Sequence, residues 1–474
     1  MQNSAPLRKV IPITPAPPET KLESLYEAQK KIYPRAVTGV FARWRWAFVW
    51  LTQLVFYGLP WLQWGERQAV LFDLAARRFY LFGYVLYPQD FIYLTGLLVV
   101  SALSLFLFTA VAGRLWCGFA CPQTVYTEMF QWIERKIEGD RNARIRLDAA
   151  PMSGGKLARK GAKHLLWLTL ALWTGFTFVG YFTPIRTLWA QAFTLSFGPW
   201  EWFWVNFYGL ATYGNAGFLR EQVCKYMCPY ARFQSAMFDK DTLIVSYDAA
   251  RGEPRGSRSR KSDPAALGAC VDCKLCVHVC PTGIDIRDGL QYECIGCAGC
   301  VDVCNTVMDK MNYPRGLIRF TTQNAVAKGW GADEIRRHVF RPRVLVYGSV
   351  LLALCVALAW SLVARTPLKV DIVRDRAALA RIVGGKLENV YRLQVMNATE
   401  QPQRYRIAAD GLPGLAVASD TEVAVAAAES RWIAVRLQLP QGAAGPGSHP
   451  IHFQIGSVAG DAHVSEKSVF LIPR

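Results

Sequence analysis

The chain has 474 residues, of which 52% are hydrophobic and 13% aromatic, and its formal net charge is +18. This length exceeds that of one compact domain and is typical of about three. Lys and Arg lie mainly between the hydrophobic segments, so the charge indicates membrane topology and excludes nucleic-acid binding. The composition therefore predicts a multi-domain membrane protein.

Five apolar segments predict an α-helical transmembrane bundle. Crossing about 30 Å of hydrocarbon takes roughly 20 mainly apolar residues. After an N-terminal tail at 1–43, a four-span membrane region is predicted at 44–219, and a fifth transmembrane helix at 344–364. The four spans of the first region are residues 46–64, 91–112, 165–182 and 200–218.

The charges between the spans predict their orientation. The connection 114–163 holds ten Lys and Arg, whereas the connection 183–199 holds only Arg186. The positive-inside rule then places the N-terminus and 114–163 in the cytoplasm of a bacterial inner membrane. Between the first two spans, residues 66–90 have apolar flanks around a charged centre, which predicts a hairpin or interfacial element on the outer face.

Counting five crossings forward places residues 220–343 in the cytoplasm and 366–474 in the periplasm. The periplasmic part predicts an all-β sandwich of roughly seven strands, because short segments alternate apolar and polar residues between Gly and Pro turns. These segments are residues 391–395, 405–407, 423–425, 433–439 and 451–455.

Eight cysteines lie in two runs, each with the spacing C-x2-C-x2-C-x3-C. This spacing wraps a [4Fe–4S] cluster, and two tandem copies predict a two-cluster α+β ferredoxin-like module within 220–343. In such a module the fourth cysteine of each run ligates the other cluster. The predicted ligands are Cys270, Cys273, Cys276 and Cys304 for one cluster, and Cys294, Cys297, Cys300 and Cys280 for the other.

Zinc and disulfides are the alternative interpretations of these runs. Zinc sites usually use two separated pairs of cysteines rather than four closely spaced ones. Disulfides need an oxidising compartment, yet all 13 cysteines lie in or before the last span and the exported region has none. The runs therefore predict an electron-transfer protein.

Two further cysteine pairs have the form C-x3-C-P and lie at the ends of spans. The pairs are Cys117 with Cys121 and Cys224 with Cys228, and each follows an arginine. Positions i and i+4 share one face of a helix, so the sulfurs of a pair can converge. The proline suits the first position of a new helix, so the second cysteine of each pair is predicted to cap that helix, where a thiol is biased toward thiolate.

These four cysteines are candidate copper or redox thiols. Soft sulfur ligands favour Cu(I), zinc or iron–sulfur centres, and all four together could bind one metal ion. The alternative is that they are small buried residues in helix-end packing.

Four spans with two C-x3-C-P pairs, followed by a two-cluster ferredoxin, resemble the NapH-type family of membrane iron–sulfur proteins. With the fifth span and the exported sandwich, the whole arrangement resembles the FixG/RdxA family of cytochrome c oxidase accessory proteins, also called CcoG. The sequence departs from ferredoxins at Cys304-Asn305, where a proline usually follows the cysteine, and this puts the local turn in doubt.

The resemblance implies an immunoglobulin-like exported domain. It also implies a membrane-bound cupric reductase that makes Cu(I) for assembly of cbb3-type cytochrome oxidase. Its partners would be the cell membrane, copper-delivery and oxidase assembly factors, and an unidentified electron donor.

Three functions fit these features. In a cupric reductase, Cu(II) would accept electrons at the C-x3-C-P thiols. A quinol dehydrogenase of the NapH kind would instead need a quinone pocket among the spans. A non-enzymatic assembly scaffold would use the sandwich to bind partners and the clusters only as structural elements.

Overall fold

The structure is a computed structural model that describes residues 31–258, 267–375 and 380–473, so most of the predicted N-terminal tail lies outside it. The helices of the described residues are α1 (Val40–Gly58), α2 (Phe91–Ala112), α3 (Leu115–Phe119), α4 (Pro122–Glu138), α5 (Arg141–Ala149), α6 (Gly154–Val179), α7 (Ile185–Thr194), α8 (Pro199–Gly214), α9 (Pro229–Met237), α10 (Ala249–Gly252), α11 (Leu275–His278), α12 (Gly299–Lys310), α13 (Gln323–Lys328), α14 (Ala332–Val339) and α15 (Pro342–Val363).

The strands of the described residues fall into two groups, one before α15 and one after it. The first group is β1 (Gln63–Trp64), β2 (Arg67–Gln68), β3 (Val70–Asp73), β4 (Arg78–Leu81), β5 (Tyr84–Leu86), β6 (Ile244–Tyr247) and β7 (Ile318–Thr321). The second group is β8 (Leu368–Arg374), β9 (Arg381–Val383), β10 (Lys386–Asn397), β11 (Gln403–Asp410), β12 (Ala416–Val417), β13 (Glu422–Val425), β14 (Ser430–Pro440), β15 (Gly447–Ser457) and β16 (His463–Ile472).

Two helical segments of the described chain, Pro88–Ala112 and Pro342–Val363, are long and apolar enough to cross a membrane by length and composition. They contain α2 and α15, whose positions agree with two of the predicted spans. Helices α1, α6 and α8 occupy the other three segments, and their membrane crossing stays a prediction. Helix α6 begins well before the apolar run, because the basic residues ahead of Leu165 continue the same helix.

Helices α6 and α8 approach each other closely through glycines. A Cβ atom added to Gly175 would lie 2.3 Å from the carbonyl oxygen of Val205 and 2.8 Å from the amide nitrogen of Gly209. Small residues at such a crossing allow two helix backbones to come into contact. This contact fixes the spacing of the two helices.

The cysteine-run module, residues 244–321, is docked onto the start of α1. Helix α1 has no side-chain cap of its own at Gly39. Instead the buried carboxylate of Asp302, on α12, accepts hydrogen bonds from the amide N–H groups of Phe41 (3.2 Å) and Ala42 (2.8 Å). An acidic side chain satisfies the free donors of a helix N-terminus and favours its dipole. Module and helix are thereby joined by one carboxylate.

Residues 66–90 form short antiparallel strands, as the hairpin prediction expects: β2 pairs with β1, and β3, β4 and β5 form a three-stranded sheet. They follow the end of α1 opposite to the one on which the cysteine-run module is docked, and their place on the outer face stays a prediction. Leu71, Tyr80 and Val85 share a buried core with Met396 and Ala398 of the C-terminal domain. Just beyond, the buried carboxylate of Asp90 pairs with two cations that follow α15, Arg365 at 3.6 Å and Lys369 at 3.2 Å.

The predicted β-sandwich is confirmed and consists of two antiparallel sheets. One has the strand order β12-β14-β10-β8, with β9 paired to β10, and the other has the order β13-β11-β15-β16. Its core is formed by alternate residues of the long strands, including Tyr391, Leu437 and Phe453, all fully buried. The described residues of the sandwich form nine strands rather than seven, because β9 and β12 are short edge segments that carry no alternation of their own.

We predict that Asp302→Ala destabilises the protein by about 1–2 kcal/mol, the usual cost of losing a helix cap, because two N–H groups of α1 lose their acceptor. Thermal unfolding of the purified protein measures this. Asp309→Ala on the same helix is the control, because that carboxylate pairs with Arg315 at the surface and exposed ion pairs contribute little. Equal effects of the two variants would contradict the capping role.

Candidate functional site

The cysteine-run module contains two neighbouring cavities, each bordered by one predicted set of four cysteines. The first is lined by Cys270, Cys273, Cys276 and Cys304. The second is lined by Cys280, Cys294, Cys297 and Cys300, and Cys276 also reaches its edge. The last cysteine of each run thus lies with three cysteines of the other run.

The electrostatics of the thiols follow the same grouping. Burial, and then the thiols of Cys276, Cys270 and Cys273, raise the pKa of Cys304 to about 12. Among the described residues, no three His, Cys, Asp or Glu side chains are arranged as ligands for a single metal ion. Four cysteines around one cavity fit an iron–sulfur cube, which is held by four cysteine thiolates.

The two runs use the same backbone geometry. Asp272 and Lys274 in the first run have positive φ values, as do Gly296 and Ala298 at the equivalent positions of the second. The doubtful turn at Cys304-Asn305 is absent, because α12 continues to Lys310. The side-chain oxygen of Asn305 accepts a hydrogen bond from the amide of Gly316 (3.0 Å).

The four C-x3-C-P cysteines, which we call the four-thiol set, come from two separate motifs. As predicted, Cys121 and Cys228 are the N-caps of helices that start at the following prolines. Cys117 lies in α3 and Cys224 lies in a π-helical turn, Val223–Met227. The second cysteine of each pair has an extended backbone, so the members of a pair do not share one helical face. Burial, and then the thiols of Cys121, Cys117 and Cys228, raise the pKa of Cys224 to about 12, so the other three thiols lie within electrostatic range of Cys224.

The expected bias of Cys121 toward thiolate is wrong. Burial raises the pKa of this thiol, although hydrogen bonds from the amides of Gln123 and Thr124 lower it. The helix N-terminus therefore acts in the expected direction, but desolvation is the larger effect. Burial likewise raises the pKa of Cys117 to about 11.

Each motif is held by an arginine that reaches the helix following the other motif. Arg114, ahead of the first pair, donates to the carbonyl of Ala231 in α9 at 3.1 Å. Arg220, ahead of the second pair, pairs with Glu134 in α4 at 3.1 Å. The two motifs are therefore interlocked through these two contacts.

Two glutamines that the sequence gave no reason to select complete this interlock. The buried amide of Gln234 donates to the sulfur of Cys117 at 3.3 Å. The amide of Gln123 donates to the carbonyl of Arg220 at 3.0 Å. No spacing rule signals either residue, because both act across elements that are distant in sequence.

The four-thiol set lies directly against the second cysteine cavity. A Cβ atom added to Gly118, between Cys117 and Cys121, would lie 2.8 Å from the carbonyl carbon and oxygen of Gly296 and 2.9 Å from the Cα of Cys297. Arg114 also donates to the carbonyls of Tyr292 and Cys294, the latter at 3.2 Å. The backbone of α3 at Gly118 therefore packs directly against the backbone of the loop in the second run.

Curated relatives align over most of the chain. The nitrogen fixation protein FixG of Rhizobium meliloti is 40% identical over 423 residues, covering 82% of this chain and 81% of its own. The chain belongs to the FixG/RdxA family. Protein RdxA of Cereibacter sphaeroides is 38% identical over 433 residues, covering 89% of this chain and 92% of its own.

Family models divide this FixG-family chain into three matched regions. Residues 219–323 match a 4Fe-4S dicluster domain, and residues 94–139, which include Cys117 and Cys121, match a 4Fe-4S binding domain. Residues 358–473 match the Ig-like fold at the C-terminus of FixG. A solved FixG-related protein from Vibrio parahaemolyticus, 25% identical, aligns with 23% of this chain and 97% of its own at a TM-score of 0.22.

The family matches make the chain an iron–sulfur protein of the electron-transfer class. Its two apolar helices are compatible with a membrane protein.

We predict that Gly118→Ala destabilises the protein by about 1–3 kcal/mol, the usual cost of overpacking, because the new methyl group meets backbone that cannot rotate away. Thermal unfolding and the visible absorbance of the clusters measure this. Gly161→Ala in α6 is the matched control, since a Cβ atom there meets nothing within 4 Å and Ala favours a helix. Equal stability of the two variants would contradict the close contact.

Proposed function

We propose that this FixG-family protein reduces Cu(II) to Cu(I) at the four-thiol set, in support of cbb3-type cytochrome oxidase assembly. The observation that carries the proposal is the position of the four-thiol set, in backbone contact with the second cysteine cavity through Gly118. An electron acceptor held by these thiols would lie next to an electron-transfer centre.

The clusters would be held by the cysteines that share each cavity. One would use Cys270, Cys273, Cys276 and Cys304, and the other would use Cys280, Cys294, Cys297 and Cys300. When bound, the two clusters supply one-electron transfer between an external reductant and the four-thiol set. Cys273 is the one exposed cysteine of the first cavity, so an electron donor would approach on that side.

Copper is the substrate in this proposal. Each Cu(II) takes up one electron and becomes Cu(I), the ion that soft thiolate ligands prefer. No three of the described thiols are arranged for a single ion, so copper binding would draw the motifs together. The π-helical turn that carries Cys224 is a suitable place for such a movement, because π-helical turns are frequent at functional sites.

The proposed location is the bacterial inner membrane, with the N-terminus and the cysteine-run module in the cytoplasm and the sandwich in the periplasm. Two contacts support opposite placement: the module packs on the start of α1, and the small sheets pack on the sandwich. The ten basic residues of 114–163 support the cytoplasmic side. Copper-delivery and oxidase assembly factors are the proposed partners.

We predict that the protein with Cys117, Cys121, Cys224 and Cys228 changed to Ser keeps its clusters but loses Cu(II) reduction by at least tenfold. The assay is anaerobic: the clusters are reduced, Cu(II) is added, and their reoxidation is followed by visible absorbance. Cys355→Ser is the control, because this cysteine lies within α15, away from the set. If copper leaves the wild-type clusters reduced while a quinone oxidises them, the quinol dehydrogenase replaces the copper proposal. If neither oxidises them, the scaffold interpretation stands.

The cluster ligands have their own test. If the cavities define the ligands, Cys280→Ala and Cys294→Ala together remove one cluster, so iron falls from about eight to about four atoms per chain. Cys276→Ala and Cys280→Ala together then remove both clusters. Iron analysis of the two double variants decides this, because ligation within each run would reverse the two results.

A further inference from the structure

A cavity of about 390 Å³ lies between the first half of α6, helix α4 and the segment that follows α8. Its size falls within the usual range for ligand pockets, roughly 300–1,000 Å³. It is separate from both cysteine cavities and from the four-thiol set. Its walls combine three rings and three cations: His164, Trp167, Phe218, Lys160, Lys163 and Arg220.

Charged groups of both signs surround this cavity, with a small positive excess. Two carboxylates also line it, Glu134 and Glu221, together with a fourth cation, Lys31. Glu138 pairs with Lys160 and Lys163, each at 3.0 Å, and Asp148 pairs with Lys160 at 2.5 Å and with Lys31 at 2.7 Å. Arg144, which pairs with Glu134, brings the cations to five against these four carboxylates, and burial raises the pKa of Glu221. The excess of one cation favours an anionic ligand.

One buried acceptor at the cavity has no hydrogen-bond donor. The Oε2 atom of Glu134 pairs with Arg144 and Arg220, but Oε1 has no hydrogen-bond partner among the described residues, and the side chain is 1% exposed. The Nζ atom of Lys163 lies 4.0 Å from it, too far for a hydrogen bond. A ligand hydroxyl entering the cavity would satisfy this oxygen.

The cavity lies at the boundary between charged and apolar surface. On α6 the charged residues Lys160 and Lys163 are followed, after His164, by Leu165, 65% exposed, and Leu166, 48% exposed. Phe218, on the opposite wall, is 60% exposed. Lipid headgroups occupy this level of a membrane, and basic pockets between membrane helices bind anionic headgroups there.

We propose that this cavity binds the phosphate of an anionic phospholipid headgroup, with Lys160, Lys163 and Arg220 around the phosphate and a headgroup hydroxyl on Glu134. The same chemistry occurs in a soluble phosphate ester such as glycerol phosphate. Arg220 and Glu221 also border a small neighbouring cavity that includes Cys224. The bound headgroup therefore steadies the segment that leads into the second thiol pair. This inference rests on the proposed membrane location but not on the copper proposal.

The experiment uses the purified full-length protein with its clusters, in a neutral detergent. Thermal unfolding is measured with short-chain phosphatidylglycerol, with phosphatidylcholine of the same chain length, and with glycerol phosphate. A ligand that binds only the folded state raises the unfolding temperature. We expect phosphatidylglycerol to raise it by several degrees more than phosphatidylcholine. If glycerol phosphate raises the unfolding temperature and phosphatidylglycerol does not, a soluble ester is the source. If phosphatidylglycerol raises it and glycerol phosphate does not, the lipid is the source.

The matched variants are Lys160→Gln with Lys163→Gln, against Arg159→Gln, which removes one charge from an exposed position of the same helix. The double variant should lose the shift, and Arg159→Gln should keep it. Equal shifts for the two lipids, or an unchanged shift in the double variant, would overturn the proposal. If the double variant does not fold, native mass spectrometry of the wild type decides: we expect one retained phosphatidylglycerol, and equal retention of phosphatidylcholine refutes the site.

Discussion

The guanidinium group of Arg114 is the interaction on which the arrangement of the redox elements depends. It donates to the loop of the second cysteine run, at Tyr292 and Cys294, and to Ala231 in the helix after the second thiol pair. One buried cation therefore joins three parts of the chain that are far apart in sequence. A charged donor that serves several carbonyls is worth more than neutral hydrogen bonds, and its removal would break all three contacts at once.

The two C-x3-C-P motifs hold each other through reciprocal contacts. Arg114 precedes the first motif and reaches the helix that begins after the second. Arg220 precedes the second motif and reaches the helix that begins after the first. Such an arrangement makes the four-thiol set a single unit, although its halves are separated by α4 to α8. The family match to an iron–sulfur binding domain at 94–139 covers only the first half of this unit.

Much of the fold follows from short-range patterns. The uninterrupted apolar runs of α2 and α15 determine their helices, and strict alternation determines the strands of the sandwich. The spacing of the eight cysteines also predicts which four meet, because the repeated backbone turns bring the fourth cysteine of each run to the other. Sequence reasoning fails where tertiary contacts decide: it predicts thiolate for Cys121, which burial reverses, and it gives no signal for Gln234 or Gly118. Sequence reasoning places the start of α6 too late, because the helix begins in the charged residues that precede the apolar run.

Helix α2 has a fixed attachment at each of its ends. At one end Asp90 is paired with Arg365 and Lys369, at the root of the sandwich; at the other, Arg114 and α3 follow within a few residues. With 22 residues the helix is about 33 Å long, and one unbroken helix transmits a displacement along its axis. A movement of the sandwich would therefore be carried along α2 toward Cys117, so that the two ends of the helix are mechanically connected.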